Sequence, residues 1–171
     1  SGGYAVTYDQ GGYGLRVDTK NGNLGTLKMK NPILFCEINE SGQVAIACSD
    51  QKYTSGVHIY ESDLKESVCS YYMNEYAMAV AFTQKDECVI ASQTVSGGDF
   101  NTVLYGINFH RDQELFRTEV RGTIALSLGS KDSERLSLVG NHDVVFMDKD
   151  GTQIGEYRYQ NQLAFFDDSE S

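Results

Sequence analysis

The sequence predicts an all-β protein built from about four copies of a four-stranded antiparallel unit. The 171-residue chain contains 17 glycines and 11 tyrosines but only one proline. Along its length, short segments in which apolar and polar residues alternate are separated by Gly, Asn, Asp and Ser. Alternation with a period of two is typical of β-strands, and these four residue types are typical of tight turns. Composition and pattern together therefore favour many short strands.

An internal repeat is the main evidence for this prediction. Each copy contains a strand, a polar turn, a strand, a loop, a strand, a second turn and a last strand. The equivalent residues Ile38, Phe82 and Leu128 are 44 and 46 residues apart in sequence. Three complete copies occupy residues 33–74, 77–121 and 123–159.

The first strand of the third complete copy and two of the turns illustrate the pattern. Ile124, Leu126 and Leu128 alternate along that strand, as expected for residues that share one face of a sheet. Asn21-Gly22 and Asp150-Gly151 occupy matching places in the repeat. Both dipeptides are typical of two-residue hairpin turns.

The two ends of the chain complete a fourth copy between them. Residues 4–31 contain only the second, third and fourth strands of the unit, and residues 162–171 resemble its first strand. We expect Leu163 to Asp168 to pair with Tyr4 to Tyr8, which would close a composite sheet and make residues 1–171 a single domain. Two alternatives remain: the chain is a piece of a larger ring, or two chains exchange end strands and form an eight-bladed ring.

Over essentially its whole length, this pattern resembles WD40-like and PQQ-like β-propeller repeats, in which each four-stranded unit is one blade. It is also similar to an uncharacterised family of bacterial propeller domains. The resemblance implies a β-propeller-like fold of about four blades. It also implies an extracytoplasmic location in a membrane-anchored bacterial protein, and it assigns no functional residue.

The charge and the hydropathy of the chain disfavour some classes of partner. The formal net charge is −10, whereas nucleic acids and anionic membranes attract basic surfaces. No apolar run approaches the roughly 20 residues that span a bilayer, so we expect no nucleic acid partner and no membrane insertion by this segment.

The cysteines and histidines indicate no metal site and no catalytic site. The four cysteines form no CxxC pair, although Cys36 and Cys48 could face each other across a hairpin, either as buried thiols or as a disulfide. His58, His110 and His142 fall at different places in the repeat and predict no catalytic triad. We therefore expect no cofactor, no metal and no enzymatic activity.

Aromatic residues in or beside the loops are the only indication of a binding site. Tyrosine combines apolar area with a hydroxyl group, which suits recognition of a protein or a carbohydrate. The alternative is that these rings pack between blades. The candidate binding residues are Tyr13, Tyr53, Tyr76, Phe100 and Tyr159.

The function predicted from the sequence is a non-enzymatic binding or scaffolding module, either a monomer or a homodimer. One alternative is a structural part of a larger propeller or of a strand-exchanged dimer. The other is an enzyme with a site at the ring centre, which would need convergent polar groups in a pocket.

Overall fold

The computed structural model describes residues 3–132 and 134–160, and in these residues all regular secondary structure is β-strand. The chain divides into two compact units, Ser1–Ala77 and Met78–Ser171. The described part of the chain contains no helix long and apolar enough to cross a bilayer.

Two antiparallel sheets make up the first unit. One contains three strands in the order β1-β2-β3, and the other contains four in the order β4-β5-β6-β7. In both sheets, strands that are consecutive in sequence pair with each other, as expected when short turns join them. The strands are β1 (Tyr4–Tyr8), β2 (Gly14–Thr19), β3 (Gly22–Lys28), β4 (Ile33–Ile38), β5 (Val44–Ser49), β6 (Ser55–Tyr60) and β7 (Ser67–Met73).

The core of the first unit is formed by residues of both sheets. Leu15 and Val17 of β2 are buried in one cluster with Ile33 of β4 and with Val44 and Ile46 of β5. The two β2 residues are two positions apart and so share one face of the sheet, while Arg16 between them is exposed. The alternation seen in the sequence therefore orients β2 against the core.

Two of the three cysteines of this unit, Cys36 and Cys48, are buried free thiols and do not face each other directly. In the register of β4 and β5, Cys36 is opposite Ile46, whereas Cys48 is opposite Ile33. Burial raises the pKa of each of these thiols to about 12. Both side chains belong to the core cluster of the first unit.

The second unit also contains two antiparallel sheets, each with four strands, except that the first two residues of its first strand, Tyr76 and Ala77, belong to the first unit. Their orders are β8-β9-β10-β11 and β12-β13-β14-β15. Leu104 from one sheet and Leu138, Val145 and Met147 from the other are buried together in its core. The strands are β8 (Tyr76–Gln84), β9 (Glu87–Ser96), β10 (Asp99–Asn108), β11 (Phe116–Arg121), β12 (Ala125–Asp132), β13 (Arg135–Gly140), β14 (Asp143–Asp148) and β15 (Gln153–Arg158).

Two details of the sequence-based prediction were wrong in the third complete copy. A β-bulge between Ala125 and Ser127 interrupts the alternation, so Leu126 is 42% exposed while Leu128 is buried. Asp150-Gly151 lies within a longer turn, because the N–H of Asp148 donates to the C=O of Thr152 at 2.9 Å.

The other predicted two-residue turn is shifted by one residue. Thr19 pairs with Gly22, so Lys20 and Asn21 form the turn and Gly22 opens β3. Gly22 has a φ of 120°, a backbone conformation that is readily accessible only to glycine. The glycine was therefore correctly linked to the hairpin but assigned to the wrong position in it.

The predicted repeat of four-stranded antiparallel units is confirmed for β4–β7, β8–β11 and β12–β15, and the all-β, propeller-like class is confirmed with it. The predicted pairing of Leu163 to Asp168 with Tyr4 to Tyr8 lies outside the described residues. The assignment of residues 1–171 to a single domain stays a prediction.

Candidate binding surface

Four connections of the first unit lie at one end of its sheets, which we call the loop end. The N–H of Met29 donates to the C=O of Tyr13 at 2.8 Å, which joins the first two connections. The hydroxyl of Thr54 donates to the C=O of Asn74 at 2.7 Å, which joins the last two. The connections consist of residues 9–13, 29–32, 50–54 and 74–75.

Asp50 fixes the shape of the β5–β6 connection. Its Oδ1 accepts hydrogen bonds from the backbone N–H groups of Lys52 and Tyr53, at 2.8 and 2.9 Å. Its Oδ2 accepts one from the side-chain amide of Asn31 at 3.1 Å, which ties this connection to that between β3 and β4. The hydrogen bond from Tyr53 and then that from Lys52 lower the pKa of Asp50, so the carboxylate stays charged.

Three aromatic rings form a cluster beside this connection. The rings of Tyr53 and Tyr72 have centroids 5.2 Å apart and are tilted by 30°. The imidazole of His58 meets Tyr72 edge-on, with centroids 5.6 Å apart. The ammonium of Lys52 lies 5.1 Å from the centroid of Tyr53, within cation–π range.

The position of Tyr72 depends on a glycine in the neighbouring strand. Gly56 of β6 is directly opposite Tyr72 of β7. A Cβ added to Gly56 would come within 3.0 Å of the Tyr72 ring. The absence of a side chain at Gly56 therefore lets the ring lie over the backbone of β6, while 45% of Tyr72 remains exposed.

The side chain of His58 is half-buried and links the cluster to β7. Its Nδ1 is 2.8 Å from the hydroxyl of Ser70 on β7. Burial lowers the pKa of His58, and the nearby charge of Asp50 partly opposes this shift. A neutral imidazole can both donate and accept a hydrogen bond, so either His58 or Ser70 can be the donor in this contact.

Of the five predicted binding residues, three lie at the loop end of the first unit. Tyr13 is in the β1–β2 connection and Tyr76 opens β8, with exposed fractions of 44% and 65%. Tyr53 is half-buried because it stacks on Tyr72. Tyr72 was not among the residues predicted from the sequence. The signal that could have found it is an aromatic residue that covers a glycine of the neighbouring strand.

The other two predicted residues lie in the second unit, at separate elements. Phe100 is not in a loop but in β10, where it faces Val95 of β9 next to the Gly97-Gly98 turn. Tyr159 follows β15, and its ring centroid is 6.0 Å from that of Tyr157. Burial, then the charge of Asp143, raises the pKa of Tyr159.

The second unit also contains a small surface cleft. Arg135 and Lys149 lie on it together with Glu87, and Phe116 forms part of its apolar wall. None of the five predicted binding residues lines this cleft. Among the residues that the structure describes, no three His, Cys, Asp or Glu side chains are grouped as metal ligands would be.

Comparisons with known proteins identify a family and a similar fold, and they indicate no ligand. A family model described as "Family of unknown function (DUF5711)" matches residues 1–164. No curated protein matches the chain by sequence.

Two solved structures share the fold at low sequence identity. A protein of unknown function from Bacteroides caccae matches with a TM-score of 0.62 at 8% identity, over 93% of this chain and 59% of that one. The Pan2 WD40 domain of Neurospora crassa matches with a TM-score of 0.60 at 13% identity, over 93% of this chain and 47% of that one. The chain thus spans about half the length of the structures that it resembles, and the likeness shows a WD40-like fold alone.

Proposed function

The chain belongs to the DUF5711 family, a family of unknown function, and we propose that it is a non-enzymatic binding module that holds a protein partner at the loop end of its first unit. The observation that carries this proposal is the exposed ring of Tyr72, which is held between Tyr53 and His58. A ring fixed before binding loses little conformational entropy when a partner covers it.

The composition of the loop end supports a protein as the partner. Tyr13, Tyr72 and Tyr76 are all exposed there, and tyrosine is among the residues most enriched at the centres of protein interfaces. Asp50 holds the β5–β6 connection in one conformation through two backbone N–H groups. Loops that a rigid sheet positions in this way commonly carry binding residues.

A carbohydrate is the other class of ligand that suits tyrosine side chains, because a sugar ring packs on an aromatic face and bonds to nearby polar groups. We favour a protein because the exposed tyrosines lie on three separate elements: Tyr13 in the β1–β2 connection, Tyr72 in β7 and Tyr76 at the start of β8. The test therefore includes an array of glycans, and strong glycan binding without protein capture would contradict the choice of ligand class.

The experiment compares Tyr72→Ala and Tyr76→Ala with a matched control, Tyr157→Ala. Tyr157 is 64% exposed but lies in the second unit. Each variant is immobilised, and proteins captured from the native cell are quantified by mass spectrometry. We expect at least one partner whose capture falls about tenfold or more in the two loop-end variants, as for a binding hot spot, and is unchanged in the control. If all variants keep the Tm of the wild type and capture the same proteins equally, the loop end is not the binding surface.

A structural role inside a larger propeller or a strand-exchanged dimer is a second candidate. It is favoured by the sheet β1–β3, which has three strands among the described residues where each of the other sheets has four. The measurement is the mass in solution by light scattering. A dimer of twice the 19.0 kDa chain mass supports strand exchange, whereas a monomer at all concentrations contradicts it.

A further inference from the structure

The small surface cleft of the second unit lies where the two sheets of that unit meet. The sheet β8–β11 contributes Glu87, Leu115 and Phe116 to its lining. The sheet β12–β15 contributes Arg135 from the start of β13 and Lys149 from the turn after β14. The cleft therefore combines an apolar wall on one sheet with two cationic side chains on the other.

Two glycines fix the aromatic part of the apolar wall. The ring of Phe116 lies so close to Gly106 and Gly151 that an added Cβ at either glycine would be 2.5 or 2.3 Å from it. The hydroxyl of Thr118 donates to the C=O of Gly151 at 2.8 Å, which ties β11 to the β14–β15 turn. Leu115, the residue before the ring, is 40% exposed. The cleft thus presents a fixed aromatic ring and an apolar side chain that a partner can cover.

The β14–β15 turn also positions the two cations of the cleft. Arg135 is opposite Asp148 in the register of β13 and β14, and Lys149 is the residue that follows Asp148. The Oδ1 of Asp148 accepts hydrogen bonds from the backbone N–H groups of Asp150 and Thr152, at 3.0 and 2.8 Å. Such bonds from an aspartate to the backbone that follows it hold a turn in one conformation. The two cationic residues are therefore neighbours on one side of the cleft.

The acidic residues nearby leave hydrogen-bonding capacity at the cleft. The ammonium of Lys149 is 3.5 Å from the carboxylate of Glu134, and both side chains are more than half exposed, so this ion pair is weak and readily exchanged. An ammonium has three N–H donors and the guanidinium of Arg135 has five, more than one carboxylate can use. Glu87 accepts one hydrogen bond from the side-chain amide of Asn108 at 3.0 Å, and a carboxylate can accept several. The cleft thus offers several donors and one acceptor to a ligand.

We propose that this cleft binds an acidic side chain of a protein partner, with the carboxylate at Arg135 and Lys149 and a neighbouring apolar side chain on Leu115 and Phe116. Hydrogen bonds from cationic groups to a carboxylate are among the strongest in proteins, and arginine can make two of them in parallel. A peptide fits better than a simple anion, because its backbone N–H groups can donate to Glu87 and its apolar atoms can cover the wall. The small size of the cleft suits one side chain rather than a cofactor. This site is separate from the loop end and does not depend on the function proposed there.

The test is a titration of the isotope-labelled complete chain followed by NMR. The probe is a blocked tripeptide with a glutamate between two leucines, and its counterpart contains glutamine in place of the glutamate. We expect the glutamate peptide to shift the Nε–H signal of Arg135 and the backbone amide of Lys149. The glutamine peptide should bind at least about fivefold more weakly, because it has no charge to offer the two cations.

Variants that each remove one positive charge locate the site. Arg135→Gln and Lys149→Gln should each weaken binding of the glutamate peptide by about threefold or more. Arg121→Gln is the matched control, because Arg121 is exposed at the other end of β11 and does not line the cleft, and its effect should be below about twofold.

Three outcomes would overturn the proposal. The first is the absence of shifts at Arg135 and Lys149 up to about 10 mM glutamate peptide, a concentration that reveals even millimolar affinity. The second is equal binding of the two peptides, which would show that the cleft does not recognise a carboxylate. The third is that sodium acetate produces the same shifts at the same concentrations, which would make the cleft a site for any small anion. The test changes no loop-end residue, so its failure would leave the function proposed for the first unit untouched.

Discussion

The ring of Phe116 on β11 lies against the backbone of Gly106, the residue that faces it on β10. A Cβ added to Gly106 would be 2.5 Å from the ring, much closer than side-chain contacts allow. Phe116 packs at the edge of the second unit's core. This glycine is therefore required by the close approach of an aromatic ring, not by an unusual backbone angle.

Replacing that glycine should destabilise the protein. We expect Gly106→Ala to lower the free energy of unfolding by about 1–3 kcal/mol, because Phe116 must leave its place in the packing. Gly155→Ala is the control, since the nearest atom to its added Cβ is 3.7 Å away, and its effect should be below about 1 kcal/mol. Urea denaturation measures both changes, and equal stabilities of the two variants would contradict the explanation.

Ser55→Ala should destabilise the first unit through the loss of two buried hydrogen bonds. Without the hydroxyl, the C=O of Glu75 loses this donor and the N–H of Ala77 loses its acceptor. We expect a loss of at least about 1–3 kcal/mol in the free energy of unfolding. Ser55→Thr should retain most of the stability, because a threonine occupies the equivalent position in β10.

A matched control for this experiment is available in an exposed turn. The hydroxyl of Ser41 donates to Asn39 Oδ1 at 2.8 Å, in an environment open to water. Ser41→Ala should change the stability by less than about 0.5 kcal/mol. If Ser41→Ala were as destabilising as Ser55→Ala, burial would not be the reason for the importance of Ser55.

The stability of the loop end should depend on acid pH through Asp50. Hydrogen bonds from Tyr53 and Lys52 lower its pKa in the folded protein below the ordinary value of 3.8. The carboxylate therefore stabilises the fold at pH values above its unfolded pKa, and this contribution is lost as the pH falls through the lower folded pKa. We expect Asp50→Asn to reduce the Tm near neutral pH and to reduce it less at low pH, in scans from about pH 2 to 7. Parallel Tm curves for the two proteins would exclude this role.

The buried cysteines should be unreactive until the first unit unfolds. With pKa values of about 12, Cys36 and Cys48 are each ionised in only about one molecule in ten thousand at pH 8, and the thiolate is the reactive form. Cys69 is only partly buried and is the internal comparison. We expect iodoacetamide to label Cys69 first and to label the other two only in urea, as read by peptide mass spectrometry. Rapid labelling of Cys36 in the folded protein would contradict the observed burial.

Much of the architecture was predictable because it depends on local patterns. In β2, for example, the alternation of Leu15, Arg16 and Val17 predicts a strand with one buried face, and the structure shows this strand. The loop positions of Tyr13 and Tyr53 were predictable for the same reason, since turn residues surround them. Whether these tyrosines bind a partner stays a prediction.

Other features were not accessible from local patterns. The bulge that exposes Leu126 depends on how β12 pairs with β13, and the place of Phe100 within β10 depends on the length of the β9–β10 hairpin. Tyr72 joined the candidate surface only because Gly56 is opposite it in the register of β6 and β7. The register aligns residues of different strands, so the sequence of one strand does not reveal which residues face each other.

The sequence by itself determined that this chain is all-β, with repeated four-stranded antiparallel units, because alternation and turn residues act over a few neighbouring positions. Only the tertiary structure decided which buried polar groups have hydrogen-bond partners. Ser55, Thr102 and Asp143 look unrelated in the sequence, yet each lies in the first half of the third strand of its sheet. Their hydrogen bonds join residues about 20 positions apart, and such contacts exist only once the sheets have formed and excluded water.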